Sequence, residues 1–120
     1  MLLIETDHLS FHDFQDLPEH PWIKFDFETS WFISDIIIHN RQDCCPGRLF
    51  PFEILIINEA GVEQRCQDKL FQVGDPEIPK VSTFPIIINC GNLFGSSLKL
   101  IGFDEKRKIL NICEMKIFGW

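Results

Sequence analysis

The chain has 120 residues and a mass of 14.0 kDa, so a single domain is the expectation. Lys and Arg number 11 against 18 Asp and Glu, for a net charge of -7 and a pI near 4.9. That is the wrong sign for binding a phosphate backbone by counterion release, which excludes nucleic acid as an expected partner. Hydrophobic residues at 45% and charged ones at 24% place the chain among globular domains that can bury a core, and no apolar run approaches the roughly 18 residues that cross a bilayer.

In chain order, the opening Met1-Leu-Leu-Ile-Glu5 has no basic region and no small-residue cleavage site, so no signal peptide is expected in the sequence as given. Beyond it, short runs rich in Ile, Phe and Val recur between clusters of Pro, Gly, Asn and Asp. This pattern predicts many short strands and almost no helix. The predicted strands are 23–27 (Ile23, Phe25 and Phe27 inward, Lys24 and Asp26 outward), 33–39, 52–57, 84–90, 98–103 and 112–118. In the last, alternation sets Cys113, Met115 and Ile117 on one face against Ile112, Glu114 and Lys116. Predicted turns are Pro46-Gly47, Asn58-Glu-Ala-Gly61, Gly74-Asp-Pro76 and Gly91-Asn92. With no helix to carry a parallel crossover, the fold class is all-β, an antiparallel β-sandwich or jelly roll.

In such a fold strands form the scaffold and loops do the binding, so function is sought in the loop with the densest unusual chemistry. That loop is 40–48, Asn40-Arg41-Gln42-Asp43-Cys44-Cys45-Pro46-Gly47-Arg48. Two guanidinium forks offer coplanar donors to neighbouring hydroxyls and a ring oxygen, and Asp43 can hold them while offsetting their repulsion. The same spacing would also serve a solvated loop with ordinary surface ion pairs of little energetic weight.

Five cysteines, Cys44, Cys45, Cys66, Cys90 and Cys113, point to an oxidising compartment, and the odd count leaves at least one without an intrachain partner. Adjacent cysteines have Cα atoms about 3.8 Å apart, below the usual disulfide range, so a Cys44–Cys45 bridge would be a strained ring offering a small rigid apolar face. Two free core cysteines, or a zinc site with His39, Cys66 and Cys90, are the competing readings; the spacing lacks a zinc knuckle.

These residues resemble the fucolectins, or F-type lectins, which are discoidin-like jelly rolls. The family motif is a His, twenty-six residues, then R-x-D-x4-R/K, with two cysteines directly after the Asp. Arg41, Asp43 and Arg48 match its second half, and Cys44 and Cys45 stand where the family has its vicinal disulfide. Pro21-Trp22-Ile-Lys-Phe-Asp26-Phe resembles the family's Pro-Trp-Trp-Arg-Val-Asp-Leu, and Ile112-Cys113-Glu114-Met-Lys-Ile-Phe-Gly119 resembles its closing strand. The likeness runs from about residue 10 to the end of the chain. Counting back from Arg41 lands on Phe14, not on a His. A two-residue insertion before Pro21 would restore His12, with His8 and His20 as rivals and His39 read as structural.

The resemblance implies a non-enzymatic lectin for terminal α-L-fucose: His12, Arg41 and Arg48 donate to the sugar, Asp43 holds the guanidinium groups, and the Cys44–Cys45 ring packs on its apolar edge. Fucosylated glycans or glycoproteins are the implied partners, a homo-oligomer or tandem-domain protein the implied setting, and a secreted or extracellular location the implied place. It also implies a Cys66–Cys90 bridge, which contributes about 3 kcal/mol on the loop-entropy model. Ser10 stands at the usual partner position of Cys113, so Cys113 is expected to be a buried free thiol. No cofactor is required. The family's calcium ion would take the Cys113 carbonyl and the Glu114 carboxylate. Its opening strand and calcium loop have no counterpart here, so residues 1–120 are expected to form a single shortened domain that binds calcium poorly. The alternative function is a discoidin-like interaction module that has lost sugar binding.

Overall fold

A computed structural model describes residues 1–12, 20–40, 49–81, 84–103 and 109–120. Among these residues are six strands, β1 (Leu2–His12), β2 (Trp22–Asn40), β3 (Phe52–Ile57), β4 (Glu63–Arg65), β5 (Ile86–Gly102) and β6 (Ile109–Gly119), with a short 3-10 turn at Cys66–Asp68. They form one antiparallel ladder in the order β1-β6-β2-β5-β3-β4. Among the described residues no helix is long and apolar enough to cross a membrane.

The ladder is bent into two layers. Straight, the 19 residues of β2 would reach about 60 Å, yet the longest dimension of the molecule is 35 Å. The bend lies where pairing between β2 and β5 breaks: Asp26 faces Ser97 and Trp31 faces Gly95, so four residues of β2 lie opposite Ser96 alone. Glu28 within that bulge takes a left-handed φ of 69°. Before the bend, β2 and β5 lie with β3 and β4; after it, β2 and the first half of β5 lie with β6 and β1. Ile36, Ile38, Ile88 and Ile117 of one layer and Ile54, Ile56, Leu98 and Leu100 of the other belong to a single buried cluster, so the layers pack face to face. Each such side chain contributes about 1.5 to 3 kcal/mol by leaving water. This is the predicted antiparallel jelly roll.

The predicted strand 52–57 is observed unchanged as β3. Runs 23–27 and 33–39 are parts of one bent strand, as are 84–90 and 98–103. Strands β1 and β4 fall where no strand was predicted. The turn at Asn58 forms as expected: Asn58 Oδ1 accepts from the amides of Ala60 and Val62, and Gly61 has φ 82°. Gly91-Asn92 is instead a two-residue bulge inside β5, with φ of 65° and 60°. The predicted turn Pro46-Gly47 lies outside the described residues.

Candidate functional site

The register places three connections at one end of the molecule. In the first layer His12 of β1 pairs with Ile109 of β6, and Asn40 of β2 pairs with Ile112 of β6. In the second layer Trp22 pairs with Ile101, and Phe52 with Gly102. At this end, then, His12 and Pro21, Asn40 and Phe52, and Gly102 and Ile109 lie in different layers. Backbone bonds tie the second-layer side together: Gly102 N donates to Pro21 O at 3.0 Å, and Phe103 N donates to Pro51 O at 2.8 Å. The His20 ring packs on Phe103 with centroids 4.4 Å apart, and its Nδ1 is buried with no hydrogen-bond partner among the described residues.

Arg41, Asp43, Cys44, Cys45 and Arg48 lie outside the described residues. The residues on either side of them do not. Asn40 is buried at 5% exposure and Leu49 at 0%, so the segment is rooted in the core at both ends. Strands β1 and β2 both run antiparallel to β6 and so parallel to each other, which brings His12 and the end of β2 to the same edge of the layer. One strand separates them, about 10 Å across the sheet, and His12 lies three residues beyond the level of Asn40, so their backbones are about 14 Å apart. His39 is half-buried and lies opposite Glu114 in the ladder.

Cys66 and Cys90 form a disulfide with Cα atoms 4.8 Å apart. The bridge joins the turn after β4 to the first half of β5, and so fastens the free edge of one layer to that of the other. This removes both sulfurs from any zinc site. Around it, the Glu53 carboxylate, buried on β3, takes Nε and Nη2 of Arg65 on β4, both at 2.7 Å. Lys69 lies 2.5 Å from Glu77 and 3.6 Å from Asp75. Its pKa is raised, chiefly by the hydrogen bond to Glu77.

Cys113 is a free thiol, as expected, but it is exposed rather than buried. The cause is a bulge. Against β2, β6 moves from Glu114 to Ile112 while β2 moves only from His39 to Asn40, so Cys113 is the extra residue and Ile112 takes the inward position. Glu114 is half-buried and lies 3.7 Å from Lys116. Among the described residues no group of three His, Cys, Asp or Glu is placed to hold a metal ion.

No family model matches the sequence. A pentraxin fusion protein of Xenopus laevis is 26% identical over 103 residues, which is 83% of this chain and 23% of that protein. A fucolectin from the serum of Morone saxatilis, the striped bass, superposes with a TM-score of 0.65 at 25% identity, over 98% of this chain and 36% of the lectin. The chain has the discoidin-like jelly-roll fold of the F-type lectins. The lectin domain of lectinolysin, solved with Lewis B antigen, shares that fold at 18% identity, with a TM-score of 0.66 over 97% of this chain and 70% of that domain. This chain thus spans about a quarter of the amphibian relative and about a third of the bass lectin.

Proposed function

We propose that this domain is a non-enzymatic lectin whose ligand is terminal α-L-fucose on glycans or glycoproteins. The observation that carries the reading is the rooting of segment 41–48 between buried Asn40 and Leu49, at the edge where β1 delivers His12. A rigid scaffold beneath a loop is what an Arg-x-Asp-Cys-Cys motif needs to act as a site instead of a solvated surface. In this reading Arg41, Arg48 and His12 donate to the ring oxygen and neighbouring hydroxyls, Asp43 holds the forks, and an oxidised Cys44–Cys45 pair packs on the apolar edge. Charged donors contribute about 1.5 to 3 kcal/mol per hydrogen bond, most of it offset by stripping water from the sugar, so a single site binds weakly. Several sites, in an oligomer or a tandem-domain protein, supply avidity.

The Cys66–Cys90 bridge favours an oxidising, extracellular setting. An oxidised vicinal pair carries no thiolate, so the chemistry of the motif is binding, not nucleophilic attack. A glycan array probed with the oxidised protein tests the reading. Signals confined to fucosylated glycans and competed by free fucose are expected. An array without signal from folded protein would favour a discoidin-like interaction module that has lost sugar binding.

A further inference from the structure

At the pole opposite the three connections, the outer face of the first layer carries a row of aromatic side chains on three adjacent strands. Phe94 of β5 pairs with Phe32 of β2 in the ladder, and their rings lie 4.7 Å apart. Phe32 in turn exchanges both backbone bonds with Trp120, the residue after β6: Phe32 N donates to Trp120 O at 2.8 Å and Trp120 N donates to Phe32 O at 2.9 Å. Residues paired in this way project to the same face. All three are open to solvent, Phe94 at 47%, Phe32 at 49% and Trp120 at 66%. Apolar exposure on this scale, in register across three strands, is a signal where scattered exposed residues are not.

Two further observations give the row a shape and a polar group. A shallow depression, largely open to solvent, is lined by Phe32, Trp120 and Asn92. Asn92 is presented by the bulge in β5, where two extra residues lie between the pairs Asn89–Asp35 and Leu93–Ile33. It has a left-handed φ of 60° although it carries a side chain. The bulge is held by Asn89 Oδ1 accepting from Gly91 N at 2.7 Å. Bulges re-aim side chains, and left-handed non-glycine residues gather at binding sites.

We infer that this face is a second carbohydrate site, a platform for a neutral saccharide of about two pyranose rings. Two inter-strand spacings make the row about 10 Å long, the span of a disaccharide. Aromatic faces carry negative charge density that favours the weakly positive C–H hydrogens on the apolar face of a pyranose. Asn92 supplies one amide able both to donate to and to accept from hydroxyls. An open apolar face with one placed polar group can stack one side of a sugar ring and leave the other side in water. The net charge of -7 favours a neutral sugar over a sulfated or sialylated one, and over an anionic lipid surface. The site is independent of segment 41–48.

The test uses the indole N–H signals of the three tryptophans, Trp22, Trp31 and Trp120, in nitrogen-15-labelled protein, the Trp120 signal being assigned by its loss in Trp120→Ala. Titration with cellobiose, lactose and N,N′-diacetylchitobiose should move the Trp120 signal saturably with at least one of them. Arg41→Lys should keep that response, whereas Phe94→Ala should weaken the affinity at least tenfold. Free fucose is titrated in the same samples, so failure of the loop site and failure of the platform are read separately. No saturable Trp120 shift with any of the three sugars would overturn the inference. So would a Trp120 shift driven by protein concentration alone, with a dimer in sedimentation that Trp120→Ala dissolves, because the face would then be a contact between copies of this chain.

Discussion

Gly95→Ala probes the bend on which the whole arrangement rests. Gly95 is buried in β5 just before the strand enters the second layer, and a Cβ there would lie 2.6 Å from Ile56 Cγ2 and 2.7 Å from Ile57 O. Carbon contacts are optimal near 3.5 to 4.0 Å, so the methyl arrives about 1 Å too close. Ile56 Cγ2 belongs to a fully buried, β-branched side chain that is stiff at χ1 and yields little. The Ile57 carbonyl yields no more readily, because Ile57 is paired with Ser97 in the β3–β5 ladder. Relief therefore means moving β3 off β5, and overpacking of this kind costs about 1 to 3 kcal/mol. At about 2 kcal/mol the melting temperature falls by roughly 8 °C for a domain of this size. Thermal unfolding followed by near-ultraviolet circular dichroism measures it, and Gly95→Val should fall further because its extra methyl groups meet the same backbone. Fucose binding by the folded variant, at the other end of the molecule, should be unchanged. A Gly95→Ala melting point within about 2 °C of the parent would refute the close approach of β3 at the bend.

Replacing Cys66 and Cys90 together by Ala should cost about 3 kcal/mol from the entropy of the freed loop, read by urea unfolding. In the parent protein a thiol reagent should label Cys113 without denaturant, as its exposure requires; resistance to labelling would place that side chain inside. Arg41→Lys or Arg48→Lys should weaken fucose binding at least about tenfold, since an ammonium cannot reproduce the fork; unchanged affinity in calorimetric titration would make the loop a solvated surface. His12→Ala should reduce fucose binding while His39→Ala acts through stability, and loss of binding in His20→Ala but not His12→Ala would reassign the imidazole. Calcium should leave the melting curve unchanged, and a fall of several degrees on chelation would reveal a site that the acidic residues Glu5, Asp7 and Glu114 help to complete.

The alternation of Ile23, Phe25 and Phe27 against Lys24 and Asp26 was enough to orient that strand, because a half-buried strand must place its apolar side chains every second residue. A short apolar run bounded by turn residues likewise marked β3, and local chemistry marked the Asn58 turn, where an Asx side chain and a left-handed glycine close the chain within four residues. The Arg-x-Asp-Cys-Cys segment could be singled out because its chemistry is dense along the chain. The aromatic row could not, since Phe32, Phe94 and Trp120 are distant in sequence and only strand pairing makes them neighbours.

What the sequence determined by itself, then, is what neighbouring residues decide between them: strand-forming runs, turn chemistry and an all-β class. Tertiary structure decided whatever depends on a partner strand. Gly91-Asn92 has the residues of a turn, but β2 pairs on both sides of it, so the strand continues and the pair becomes a bulge. Strand β1 has no clean alternation of its own and exists because β6 offers it an edge to bond. Cys113 shares a period with Met115 and Ile117, yet one looped-out residue against β2 reverses its face. A period of two is reset by a single extra residue, and the cross-strand hydrogen bonds that admit that residue cannot be read from one strand alone.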